Sequence, residues 1–195
     1  MNQPLSHHLL TMAYQNAWAN HRLGKACGQL SQSEFEARRV SFFPSIKATL
    51  NHILTCDGFY VDALERELRG EEPHPQCDVF FQDEEPFACS AELMREQHQV
   101  DLRLIAYCEP LRDAGLTRRV TIARQVPQQD TRLRLLSHLF EHQIHHRGQV
   151  HAMLSGTPVA PPQLDEFFCA GESHLRAGDF AELGWTEAQI WGASN

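Results

Sequence analysis

Five of the chain's twelve histidines fall in the run Ser137-His138-Leu139-Phe140-Glu141-His142-Gln143-Ile144-His145-His146-Arg147-Gly148-Gln149-Val150-His151. Imidazole is a metal ligand, a proton carrier and a hydrogen-bonding group near neutral pH, so the spacing of these residues decides which chemistry is open to them. Apolar residues flank the run at helical spacing and no proline interrupts it. On a helix His142 and His146 are i and i+4, one above the other on one face, with His138 a turn earlier. Two imidazoles so placed can hold one metal ion from the same side, and a third ligand from another helix completes a site. Pairs at this spacing also arise with no chemical role. Here the pair belongs to a stripe, Leu135, His138, Leu139, His142, His146, Gln149, Val150 and Met153, that is expected to face the core. An unpaired polar group there is costly. His145 is turned about 100° from His146 and should face outward or toward a neighbouring helix, and His151 is off the face. His138 is open to two readings, a fourth ligand or a donor behind the ligands. Glu141 precedes His142 and should face away from it, so the run is not the H-E-x-x-H arrangement of a zinc peptidase.

The elements that must position this run are helices. Residues 5–29 carry a stripe of Leu9, Met12, Ala13, Asn16, Ala17, Asn20, Leu23 and Cys27 at steps of three and four, with Gly28 where a helix ends. Asn16 and Asn20 put amides on that face, either bonded to neighbours or lining a polar pocket. A polar connection follows, with a turn of helix at residues 33–36. A second helix is predicted from Pro44 and Ser45 to Arg69, closed by Gly70. His52 lies at the edge of its stripe. A histidine in that place is ordinarily a satisfied boundary residue, but the downstream pair needs a partner and His52 is available. Residues 71–89 hold Pro73, Pro75 and Pro86 and many acids, a connection long enough to cross over the bundle. A third helix is predicted from an N-cap at Ser90 to about Asp113, with Pro110 near its end. Residues 117–126 alternate enough to suggest an extended arm or short edge strand. Asp130 or Thr131 should cap a fourth helix running to Leu154 or Ser155. Gln163–Phe168 should pack back on the bundle, and residues 172–195 read as an acidic appendage with a short helix near Thr186–Trp191.

Composition narrows the function. The chain has 195 residues, 42% of them apolar, enough for one domain with a full core. Lys and Arg total 17 against 25 Asp and Glu, a formal charge of -8. That balance argues against nucleic acid as a partner, which calls for a basic face. The six cysteines are scattered with no C-x-x-C pair, as expected of buried, reduced thiols in a cytoplasmic protein. No signal-peptide pattern is seen and no apolar run approaches the ~20 residues of a membrane span, so no membrane association is expected.

Three stretches together resemble the DinB-like family of metal-binding four-helix bundles: Asn16-Ala17-Trp18-Ala19-Asn20-His21-Arg22-Leu23, Leu50-Asn51-His52-Ile53-Leu54 and His142-Gln143-Ile144-His145-His146-Arg147-Gly148-Gln149. The last is the most specific. Pro162-Gln163-Leu164-Asp165 is also similar to a tail segment found in proteobacterial members. The resemblance covers residues 5–168. It implies an all-α fold, a four-helix bundle of up-down-down-up order with a long crossover between the second and third helices. The bundle domain is then 1–168, with 169–195 an appendage packed on it. It also implies that His52, His142 and His146 are the ligands of a divalent metal ion, and that the protein is a homodimer. Three imidazoles suit Zn or Ni, with Fe also compatible, and leave coordination positions open. A divalent ion so held can activate water or bind a small thiol as thiolate. Relatives resemble thiol-dependent transferases and isomerases. The reading that follows is a metal-dependent enzyme, a thiol S-transferase or hydrolase, acting on a small electrophile with a low-molecular-weight thiol as partner. Its competitor is a non-catalytic metal-binding stress-response protein. No residue stands out as general base.

Overall fold

The computed structural model describes residues 3–76 and 78–192, so Cys77 lies outside the described residues. In chain order the regular elements are α1 (Leu5–Cys27), α2 (Gln32–Glu36), α3 (Ile46–Arg69), α4 (Ser90–Cys108), β1 (Arg119–Ile122), β2 (Gln128–Thr131), α5 (Arg132–Leu154), α6 (Ser173–Leu183) and α7 (Glu187–Trp191). The four long helices α1, α3, α4 and α5 form a bundle. Their ends are set by local chemistry. The Ser45 side chain accepts from the Ala48 N–H, satisfying one orphan donor of α3, and Gly70 closes the helix at φ 68°, a conformation that favours glycine. The Thr131 side chain does the same for α5 at the Arg134 N–H.

Cross-helix hydrogen bonds give the topology. Asn16 and Asn20 of α1 meet Asp101 of α4, while Leu5 and Ser6 meet Asp113 beyond its end, so α1 and α4 are antiparallel. Along α3 and α4, Asp57 meets Gln97 and Glu65 meets Arg103, so these two are parallel. His52 meets His142 and Glu67 meets Arg132, which makes α3 and α5 antiparallel. The order is therefore up-down-down-up, and the segment between α3 and α4 is the crossover. Asn51 holds its far end, donating to the Phe87 carbonyl and accepting from the Phe87 N–H.

The third helix is shorter than its sequence predicts. α4 ends at Cys108 because Pro110 has no N–H with which to continue the ladder. Asp113 lies outside it and accepts from the backbone N–H groups of Leu5 and Ser6, capping the start of α1. Ser90 is the first residue of α4 and Cys89 holds the cap position. The extended arm is one strand of a hairpin, with Arg119 opposite Thr131 and Ile122 opposite Gln128. Val120 and Ile122 bury into the core.

Two apolar clusters fill the bundle. One gathers Leu9–Ala19, Phe59–Leu64, Leu104–Leu111 and Leu135–Phe140, and the other Leu23–Cys27, Ile46–Leu54, Leu93 and Val150–Leu154. Between them lies a buried polar layer of Asn16, Asn20, Asp57, Gln97, Asp101, Gln143 and Arg147. The chain after α5 returns to α1, where Phe167, Phe180 and Ile190 join the first cluster beside Tyr14 and Trp18. Sequence reading missed α6, which precedes the short helix expected near Thr186–Trp191 and observed as α7.

Candidate metal centre

The antiparallel packing of α3 against α5 brings two ridges of i, i+4 residues face to face. One ridge is His52, Cys56 and Tyr60, and the other is His146, His142 and His138. The Nε2 atoms of His52 and His142 are 3.1 Å apart. The His146 ring lies 4.5 Å from that of His142 and 4.7 Å from that of His52, centre to centre. The three rings adjoin, but the donor atoms that lie within 4.8 Å of one another belong to His52, Cys56 and His142, a group that does not include His146. Two nitrogens bound to one ion at ordinary Zn–N lengths are about 3–3.4 Å apart, so the observed N···N distance fits a shared ion without rearrangement.

Burial lowers the pKa of His52 to about 4 and of His142 to about 3, with neighbouring imidazoles adding to the effect. Burial lowers that of His146 as well. These rings are neutral near pH 7, the form that binds metal. His146 donates from Nδ1 to the Gln149 Oε1 at 2.9 Å, which leaves its Nε2 lone pair free. The Gln149 amide also donates to His145 at 3.0 Å. Phe43, just ahead of α3, stacks on His52 at 4.3 Å and reaches His146 at 5.6 Å, covering one side of the cluster.

Leu135, Leu139, His146, Val150 and Met153 of the expected inward stripe are buried, and the inward face extends beyond it. His138 is exposed and His142 half-buried, and the side chains that enter the bundle beside Leu136 and Phe140 are Gln143 and Arg147. The physical reason is satisfaction of polar groups. Arg147 donates to Asn16, Asn20 and Gln143, and Gln143 donates to Asp57, so buried polar atoms find partners while the imidazoles keep the flank facing α3. Asn16 and Asn20 are bonded, both also donating to Asp101, and Asn20 lines a polar cleft as well, beside His21, His98 and Asp101. His138 stands outside the cluster, 6.1 Å from His142 ring to ring, and packs edge-on to Tyr60 at 5.2 Å. His145 is exposed, and His151 donates to the Pro162 carbonyl.

The residue that sequence reading missed is Cys56. Its Sγ is 3.7 Å from the His52 Nε2, and the donor atoms of His52, Cys56 and His142 all lie within 4.8 Å of one another. The signal was present as the i, i+4 spacing of His52 and Cys56, the same spacing that singled out His142 and His146. Burial and the adjacent Asp57 push its pKa up to about 12, so without an ion it is a thiol. Tyr60 and Arg124, whose Nη2 lies 3.4 Å from the Tyr60 hydroxyl, border the same flank. A second group, His21, Asp179 and Glu182, is partly exposed and engaged with Arg22 and Lys25, an ion-pair network on the surface.

Fold and site together define a four-helix bundle of up-down-down-up order with a histidine–cysteine group, able to hold a metal ion, between its second and fourth long helices. The DinB family model matches residues 1–173, and the chain belongs to that family. Among solved structures, a DinB-like protein from Bacillus cereus ATCC 10987 shares the fold. It has a TM-score of 0.55 and 14% sequence identity, and the match covers 75% of this chain and 90% of that one. No curated protein matches. Among the described residues no helix is long and apolar enough to cross a membrane.

Proposed function

We propose that this protein is a metal-dependent enzyme in which His52, His142 and His146 hold a divalent ion that promotes attack by a small thiol or water on a small electrophile. The observation that carries this reading is the 3.1 Å separation between the His52 and His142 Nε2 atoms, contributed by two helices, with the His146 ring packed beside both. A divalent ion in such a donor set supplies Lewis acidity and favours the deprotonated form of a bound thiol or water. The chain's own contribution is positional. Gln149 fixes the tautomer and direction of His146, Phe43 shields one side from solvent, and the buried layer behind the site fixes the rotation of α5. Imidazole donors suit Zn or Ni, with Fe also compatible. On this reading the substrate enters from the flank bordered by His138, Tyr60 and Arg124. A homodimer and a low-molecular-weight thiol as co-substrate belong to the same proposal.

The test is elemental analysis of purified protein. His52→Ala, His142→Ala and His146→Ala each lose stoichiometric metal while circular dichroism stays helical, and full retention in all three refutes the ligand set. Metal-loaded protein is then screened with glutathione and generic electrophiles. Activity equal in wild type and His142→Ala removes the ion from the reaction. A second reading, a non-catalytic metal-binding stress-response protein, is favoured by one feature: Cys56 is close enough to close the coordination sphere.

A further inference from the structure

We infer that Cys56 is itself a protein ligand at this centre, which makes the donor set three imidazoles and one thiolate. The inference rests on the reading that the site holds an ion, and adds a donor that the histidine pattern does not supply. Cys56 follows His52 by one helical turn and shares its ridge, so its Sγ projects toward the same facing ridge of α5. Its Sγ lies 3.7 Å from Nε2 and 3.8 Å from Nδ1 of His52. A sulfur and a nitrogen on one tetrahedral zinc ion are about 3.6 Å apart, given a Zn–S length near 2.3 Å, and two nitrogens are closer together. The two separations here, 3.7 Å for S···N and 3.1 Å for N···N, keep that order and magnitude.

Other features of Cys56 agree. It is free rather than in a disulfide, as are the other cysteines of the described residues. Cys27 and Cys108 are buried among apolar side chains, whereas Cys56 is buried against an imidazole. In binding, the Sγ–H bond breaks, its proton leaves to solvent, and the sulfur lone pair forms the bond to the ion. A thiolate donor also narrows the choice of metal. It favours soft and borderline ions such as Zn over hard ones. Four protein donors would fill a tetrahedral sphere, the arrangement of structural zinc sites, so catalysis would require a further open position on the ion.

Cobalt(II) and zinc serve as probes on the full chain. Cobalt-loaded wild type should show a thiolate-to-cobalt charge-transfer band in the near ultraviolet along with its visible ligand-field bands. Cys56→Ser should lose the charge-transfer band, keep the visible bands, and bind zinc more weakly by at least the roughly 10–100-fold that loss of an outer-shell partner costs. Cys169→Ser, a change at an exposed cysteine, should match wild type. X-ray absorption of zinc-loaded wild type needs no variant, and decides the matter alone if Cys56→Ser does not fold. A sulfur shell near 2.3 Å is expected, and a shell of nitrogen or oxygen only, near 2.0 Å, overturns the inference. Identical cobalt spectra in wild type and Cys56→Ser overturn it too, while leaving the three-histidine site standing. If wild type binds neither ion, the proposed function falls and the Cys56 ligand falls with it.

Discussion

Gln149 turns His146 toward α3: its Oε1 accepts the Nδ1–H at 2.9 Å, and its amide nitrogen is occupied by His145. A ligating imidazole whose second nitrogen is held in this way keeps one tautomer and one ring direction, and losing such a partner typically costs 10–100-fold in metal affinity. Gln149→Ala should therefore weaken zinc binding by about that factor, measured by competition with a chromophoric chelator, and leave the helical content unchanged. Gln149→Glu preserves the acceptor and should retain affinity. Equal affinity in Gln149→Ala and wild type would mean that the contact orients nothing. Histidines advertise themselves in a sequence because their chemistry is specific and their i, i+4 spacing repeats. Cys56 shares that spacing with His52 but stood out less, because a single buried thiol is far more often packing than ligand, and only the antiparallel approach of α5 brings the His142 imidazole to it. Phe43 and Arg124 were illegible for the same reason, since both reach the flank from segments whose course the sequence does not specify.

Between the helices, the residues after each site position form a neighbouring face of each helix. Cys56 is followed by Asp57, His142 by Gln143 and His146 by Arg147, so the ridge facing the flank and the layer inside the bundle are about 100° apart on each helix. The inner layer holds two carboxyls against one guanidinium. Burial and the proximity of Asp101 hold the Asp57 carboxyl well above the usual carboxylate range. Burial pushes Asp101 up to about 7, opposed by its bonds from Gln97 and Asn20 and by Arg147. Below about pH 4 folded and unfolded chains both carry the Asp101 proton. Between there and pH 7 only the folded chain does, so raising the pH favours unfolding, and above pH 7 the loss is complete. The slope is at most one proton, about 1.4 kcal/mol per pH unit. Asp101→Asn removes the group that titrates. Relative to wild type, the variant should gain stability between pH 4 and 7 in urea titrations, and parallel profiles for the two proteins refute the assignment. Helix limits at Ser45, Gly70 and Thr131 were legible because caps are local chemistry. β2 was not, because Gln128-Gln129-Asp130-Thr131 has no apolar alternation and pairs only because β1 lies beside it. The burial of Gln143 and Arg147 was illegible too, since it depends on partners supplied by two other helices.

At the scale of the whole molecule, the question is what keeps the chain after residue 157 on the bundle. One side chain of α1 does much of this. The Arg22 guanidinium donates from Nε to Asp179 at 2.6 Å and from Nη1 to Glu166 at 2.7 Å. It also donates to the backbone carbonyls of Gln163 and Leu175 at 2.9 and 2.6 Å, and lies over the Trp18 ring at 4.5 Å. Trp18, fully buried, donates its indole N–H to the same Asp179. Five donors in a fixed planar fork suit arginine to such a junction, and lysine cannot reproduce it. Arg176 plays the matching part within the tail, binding Glu187 and the carbonyls of Glu166 and Cys169. Removing Arg22 leaves the largely buried Glu166 without its countercharge and Asp179 with only the more distant Lys25, a change that costs about 3 kcal/mol. Arg22→Ala should therefore release the tail before it unfolds the bundle. Amides of residues 163–185 should lose protection in hydrogen exchange while those of α3, whose bonds go to α4 and α5, keep theirs. Arg22→Lys should fall close to Arg22→Ala. Uniform loss of protection across all helices would show instead that tail and bundle unfold as one cooperative unit, with α1 as their shared core.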